Sequence, residues 1–169
     1  PVLAGLAARG AVFDWAFSAG NVTRRSIPAM ITGLDADRVH GRVVAWALRV
    51  DPRHILLAER LRAAGYDTAG FMCCHGFWGE KADTGLERGL DHLEIVENDG
   101  RKLALRARMW LEERARTPPD RPLFLWIHIL EPHAWAPGGV MPARPADRPR
   151  LYDGTPAACD GMPADVLAP

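Results

Sequence analysis

The chain has 169 residues, 48% apolar and 25% charged, the balance of a globular domain with one sizeable core and too short for two large ones. Its 21 Lys and Arg are matched by 21 Asp and Glu, so no net field favours nucleic acid or an acidic membrane, and binding by charge alone is excluded. No apolar run is long enough to span a bilayer and no signal peptide is visible, while a targeting segment or membrane anchor upstream of Pro1 stays open.

Leu3, Leu6 and Ala7 recur at helical spacing, and Gly10 stands where a C-terminal cap belongs. Ala11, Phe13, Trp15 and Phe17 then alternate with Val12, Asp14 and Ala16, which predicts a strand. Ser18-Ala19-Gly20-Asn21 breaks that pattern. A second helix follows, with Ile27, Met30 and Ile31 on one face and Gly33 closing it. Pro28 is compatible only with its start, so Ser26 is the expected N-cap, with Thr23 in the turn before it. Residues 34–53 read as a mixed connection whose middle, Val43 to Leu48, is apolar. Asp51-Pro52 is expected to start a third helix that turns Leu57, Ala58, Leu61 and Ala64 inward and ends at Gly65.

Tyr66 to Met72 predicts a strand, Cys73 to Gly89 a loop rich in glycine and charge, and His92 to Val96 a short strand. Leu103, Ala107, Trp110 and Leu111 stand at i, i+4, i+7 and i+8 and predict a helix over 101–116, stopped by Thr117-Pro118-Pro119-Asp120. LFLWIHI, residues 123–129, reads as a strand buried on both faces of a parallel sheet. Beyond Pro137 the chain is rich in Pro, Gly, Ala and Arg without periodicity. The domain is therefore placed at 1–137, and 138–169 is read as a Pro-rich segment with little structure of its own. The alternation of helix and strand periods predicts a three-layer α/β sandwich with a mainly parallel sheet. Cys73 and Cys74 are adjacent and Cys159 is distant, which makes neither a disulfide framework nor a structural zinc site.

In such folds ligands bind beyond the carboxyl ends of the strands. Three polar clusters are expected there: Thr23-Arg24-Arg25-Ser26, Cys73-Cys74-His75 and Glu131-Pro132-His133. A hydroxyl at a helix start lies near the positive end of the macrodipole and near free backbone N–H groups, which favour an anion and an alkoxide. Arg24 and Arg25 can add charge-assisted hydrogen bonds to a phosphate or sulfate. The alternative is that Thr23 or Ser26 only caps the helix while the arginines point into solvent. His133 can donate to a substrate oxygen or act as an acid. His128, inside the apolar strand, reads as a buried histidine with a satisfied hydrogen bond, and His75 as a solvated loop histidine or a contact. His40, His54 and His92 belong to no constellation.

Taken in order, four segments resemble the N-terminal part of the sulfatase family, within the alkaline phosphatase superfamily. Residues 1–13 are similar to the family's TPxLxxLAxxGxxF segment, and Ser26 to Gly33 to its nucleophile segment ending in LLTG. LRAAGYDT (61–68) is similar to LKxAGYxT, and FLWIHILEPH (124–133) to FLWxHxxDPHxPY. The resemblance covers residues 1 to 137 and implies a metal-assisted hydrolase of sulfate or phosphate esters, built on an incomplete alkaline phosphatase-like sandwich. Thr23 stands where the family has the cysteine that becomes formylglycine, and Ile27 where its motif has arginine. A threonine at that place resembles the branch of phosphoethanolamine and glycerophosphate transferases, in which the oxygen binds the metal and carries the phosphoryl group.

On this resemblance Thr23 is nucleophile and metal ligand, and His133 is the substrate-contacting histidine of the PH motif. His75 matches the histidine of the GKWH segment, with Cys73 in place of its lysine. Arg24 and Arg25 are substrate contacts by position alone. The implied cofactor is a divalent ion (Ca, Mg, Mn or Zn) whose remaining ligands lie outside this chain. The implied substrate is a small-molecule, glycan or lipid ester, and the implied location is the cell envelope, periplasm or exterior. The family's metal-binding aspartates precede the matched part and its Asp-His pair follows it, so the 169 residues alone are expected to be inactive. A third possibility is a degenerate, non-catalytic domain, motivated by the changed cysteine, arginine and lysine positions.

Overall fold

A computed structural model describes residues 2–73, 76–96, 99–116 and 121–130. In chain order its elements are α1 (Val2–Ala7), α2 (Thr23–Thr32), β1 (Gly41–Val44), β2 (Ala47–Val50), α3 (Leu57–Ala63), β3 (Asp67–Met72), a 3-10 turn (Glu80–Ala82), β4 (His92–Ile95), α4 (Gly100–Arg116) and β5 (Leu123–His128). β3 is the middle of a wholly parallel three-stranded sheet, ordered β4-β3-β5. The ladder extends past β3, where the Cys73 N–H donates to the His128 carbonyl at 3.1 Å and the Val96 N–H to that of Met72 at 2.9 Å.

Strand alternation sends the side chains of β3 to two different cores. Ala69, Phe71 and Cys73 meet Leu103, Ala104 and Ala107 of α4, with Leu123, Leu125 and Ile127 of β5 packed against them. Met72 faces the other way, into a core with Ile27, Ala29 and Ile31 of α2, Ala47 and Val50 of β2, Leu56, Phe77, Trp78 and Leu86. Helix α4, the sheet, and the α2–hairpin–loop side make the three layers that the sequence predicts. Ion pairs clamp the amino ends of the strands: Asp67 holds Arg114 at 3.0 Å and Arg121 at 3.2 Å, and Arg121 donates to the Gly65 and Tyr66 carbonyls.

Several expectations are corrected. Residues 11–17 form no strand. Phe13, Trp15 and Phe17 are 79%, 84% and 86% exposed, because among the described residues no strand lies alongside to pair with them, and a lone strand leaves its backbone groups to water. All six residues of β5 are half-buried instead of enclosed on both faces; on its outer edge no strand pairs with it among the described residues. The mixed connection over 34–53 contains the antiparallel hairpin of β1 and β2, with Arg42 opposite Arg49 and Val44 opposite Ala47. Its tight turn, Ala45-Trp46, lacks the Gly or Asn that signals such turns.

Helix α3 begins at Leu57, not at Pro52. Asp51 spends its carboxylate within its own turn, accepting from the Arg53 N–H at 2.9 Å and the Arg53 guanidinium at 2.8 and 3.0 Å. Glu59 takes over at the helix start, accepting the Leu56 N–H at 2.8 Å. The inward residues are Leu56 and Ala58, with Leu61 half-buried, while Leu57 and Ala64 are exposed. Gly89 lets the loop press against α3: its φ of 86° is left-handed, and a Cβ there would collide with the Glu59 backbone. The segment 138–169 lies outside the described residues.

Candidate functional site

Helix α2 starts earlier than its sequence signals suggest. Thr23 is its first residue and Val22 its N-cap, in extended conformation, so no side chain caps the helix. Ser26, the expected cap, is inside the helix and donates its hydroxyl back to the Val22 carbonyl at 3.3 Å. Pro28 is likewise internal; without an N–H it leaves the Arg24 carbonyl unpaired in the ladder, and the helix tolerates this one turn from its start. Packing decides the matter: Ile27, Pro28, Ala29 and Ile31 are all buried, and Met30 faces out. Gly33, left-handed at φ 70°, ends the helix and donates to the Ala29 carbonyl.

No side chain caps the first turn of α2; the Arg25 N–H donates to the Val22 carbonyl at 2.9 Å, and the N–H groups of Thr23 and Arg24 are the first-turn donors turned toward water or a ligand. Thr23 is half-buried there, and Arg24 and Arg25 are exposed. An open depression of ≈ 450 Å³ is lined by Asn21, Val22, Thr23, Arg24 and Trp46. Arg24 thus stands with Thr23 as expected, while Arg25 is not among the lining residues. Trp46 arrives from the turn of the β1–β2 hairpin, and no motif of the sequence marked it.

His75, Glu131, Pro132 and His133 lie outside the described residues. Cys73 is described: it follows the last residue of β3 and is fully buried against α4. His128, the last residue of β5, packs edge-on to Trp78 at 5.7 Å between ring centroids, and burial pushes its pKa below the usual imidazole range. It packs on Trp78 half-buried, where burial favours the neutral imidazole.

The divalent ion implied by the family resemblance finds no donor set around Thr23. The hydroxyl is one oxygen, where such an ion takes several donors, and Arg24 places positive charge beside it. Among the described residues no group of three His, Cys, Asp or Glu is arranged to hold a metal. These residues by themselves do not fit the ion, so the chemistry is derived from the protein's own groups. Residues 1–155 match the family model described as Sulfatase. No curated protein matches the chain.

Proposed function

Because the chain belongs to the sulfatase family, whose members are hydrolases that generally use a divalent metal, we propose that it cleaves sulfate or phosphate monoesters with Thr23 as the nucleophile. The observation that carries this reading is the half-buried Thr23, first residue of α2, whose N-cap offers no side-chain hydrogen bond, in one depression with Arg24. The Thr23 Oγ–H loses its proton as a bond forms from Oγ to sulfur or phosphorus. The bond from that centre to the ester oxygen breaks, and the alcohol leaves carrying a proton. Water then attacks the threonyl ester, releasing the free anion and restoring the hydroxyl.

Arg24 supplies fixed charge to the anionic group during both steps. His133 would contact the leaving or transferred group, with His75 and Arg25 as further substrate contacts. The ester is that of a small molecule, a glycan or a lipid. Metal dependence belongs to the same proposal, with ligands from beyond the described residues.

Threonine in place of the family's cysteine favours a second reading, in which an alcohol rather than water accepts the group and the enzyme is a phosphoethanolamine- or glycerophosphate-type transferase. The changed cysteine, arginine and lysine positions of the family's motifs, at Thr23, Ile27 and Cys73, motivate a third, a non-catalytic domain. One experiment separates the two catalytic readings from the non-catalytic one. The full-length protein and its Thr23→Ala variant are assayed on nitrophenyl sulfate and nitrophenyl phosphate, and the Thr23 peptide is weighed after rapid quenching. Loss of turnover by on the order of 10³ in the variant, with a sulfate or phosphate group on wild-type Thr23, supports the nucleophile. Turnover unchanged by Thr23→Ala refutes it, and no turnover by either protein favours the non-catalytic domain.

A further inference from the structure

His40 and His54, which no motif of the sequence joins, meet at the mouth of the β1–β2 hairpin. The His40 N–H donates to Nε2 of His54 at 2.9 Å, and the two rings stack with centroids 5.7 Å apart and 24° between planes. The His40 carbonyl accepts the Asp51 N–H at 3.0 Å, so the chain entering β1 is tied to the loop leaving β2 by one main-chain bond and one imidazole. His54 is itself fixed. Its N–H donates to the Asp51 carbonyl at 3.0 Å, and its carbonyl accepts the Arg88 guanidinium at 3.0 Å.

Beyond its ladder with β2, strand β1 has little to hold it. Gly41, Arg42 and Val43 are exposed and Val44 is half-buried, whereas Val39 just before the strand and Ala47 and Val50 of β2 sit in the core. A stretch with few buried contacts opens locally with little loss of free energy, so a single bond at its amino end carries weight. The strand leads directly into Ala45-Trp46, the turn beside Thr23.

A histidine nitrogen accepts a hydrogen bond only while it carries no proton. The bond to the His40 N–H therefore needs a neutral His54 with its proton on Nδ1. Protonated at Nε2, the ring presents a donor to a donor and the bond is lost. The charged groups around it come from every neighbouring element. Asp51 and Arg53 of its own loop pair at 2.8 Å, and Arg42 of β1 and Arg49 of β2 line a depression with His40, Asp51 and Arg53. Both of those arginines reach Asp83, while Arg88, from the loop before β4, pairs with Glu59 of α3 at 3.5 Å. Each of these carboxylates already faces a guanidinium, so none is left over for an imidazolium.

We propose that His54 is a proton-sensitive latch on the β1–β2 hairpin: neutral, it holds the entry to β1, and protonated, it releases that end of the strand while β2 stays in the core. The latch stands independently of the ester chemistry at Thr23.

Nitrogen-15 spectra of the imidazoles and amide hydrogen exchange, both on the full-length protein, test it. Near pH 8, His54 carries its proton on Nδ1 and none on Nε2. Protection of the His40 amide, corrected for intrinsic exchange at each pH, falls roughly 5- to 10-fold between about pH 8 and 5, the worth of one hydrogen bond over the span in which histidine changes charge. Protection of the Val50 amide, which donates to the Thr84 carbonyl, does not follow it. His54→Gln offers a carbonyl that accepts at any pH and abolishes the dependence, and His54→Ala lowers His40 protection throughout. His40→Gln keeps the backbone donor and with it the dependence. A proton on Nε2 near pH 8, His40 protection that ignores pH, or a dependence that survives His54→Gln or vanishes in His40→Gln overturns the proposal.

Discussion

Replacing Phe71 by alanine probes the layer on which the sheet depends. The ring is fully buried near the carboxyl end of β3, in the core formed with Leu103, Ala104 and Ala107 of α4. It lies 5.2 Å from the His92 ring and 6.0 Å from that of Trp110. Truncating such a phenylalanine forfeits its transfer free energy and leaves a cavity, together about 3–5 kcal/mol. That is a large share of the ~5–15 kcal/mol that holds a domain of this size. The control is Phe17→Ala, a chemically identical truncation at a residue 86% exposed, expected to change stability by less than ~0.5 kcal/mol. Urea denaturation followed by circular dichroism reads the difference as a midpoint lowered by roughly 2 M for Phe71→Ala, with Phe17→Ala at wild type. A Phe17→Ala cost above ~2 kcal/mol would refute the reasoning, because it would mean that residues 11–17 pack as the strand their alternation predicts.

The remaining predictions concern charge. Burial lowers the His128 pKa from 6.5, so near and below pH 6.5 the unfolded chain binds more protons than the folded one. Stability is therefore full above that pH and falls on acidification toward the folded pKa. His128→Gln should flatten this decline in urea midpoints measured between pH 7 and 5, and an unaltered slope would rule the histidine out. Asp67→Asn strips one carboxylate from two guanidiniums, Arg114 and Arg121. It should cost about 1 kcal/mol and leave ester turnover untouched, since the pair binds the amino ends of β3 and β5. Equal stability with and without the carboxylate would show that the backbone bonds of Arg121 do the clamping.

Whatever depends on neighbours in the chain was legible from the sequence. Asp67–Met72, Gly100–Arg116 and Leu123–His128 stand where apolar runs and 3.6-residue spacing predict them, because one strand or one helix face is a local property. Thr23 was singled out as a candidate by its position before Ser26 and the segment ending at Gly33, a match of spacing alone. The candidates His75 and His133 were singled out in the same way and fall outside the described residues, so their roles stand as proposals.

The tertiary structure decided which of several plausible local signals prevailed. Ser26 and Asp51 are both good caps by residue type, yet one lies inside α2 and the other serves its own turn, because the buried faces of α2 and α3 set where each helix begins. The alternation of Phe13, Trp15 and Phe17 suits a strand, but strands need partners, and pairing is settled by distant residues. The same dependence brings Trp46 from the hairpin turn to the wall beside Thr23. The hairpin sequence alone does not encode that meeting; it follows from Ala47 and Val50 of β2 sharing a core with the distant Ile27 and Ile31 of α2.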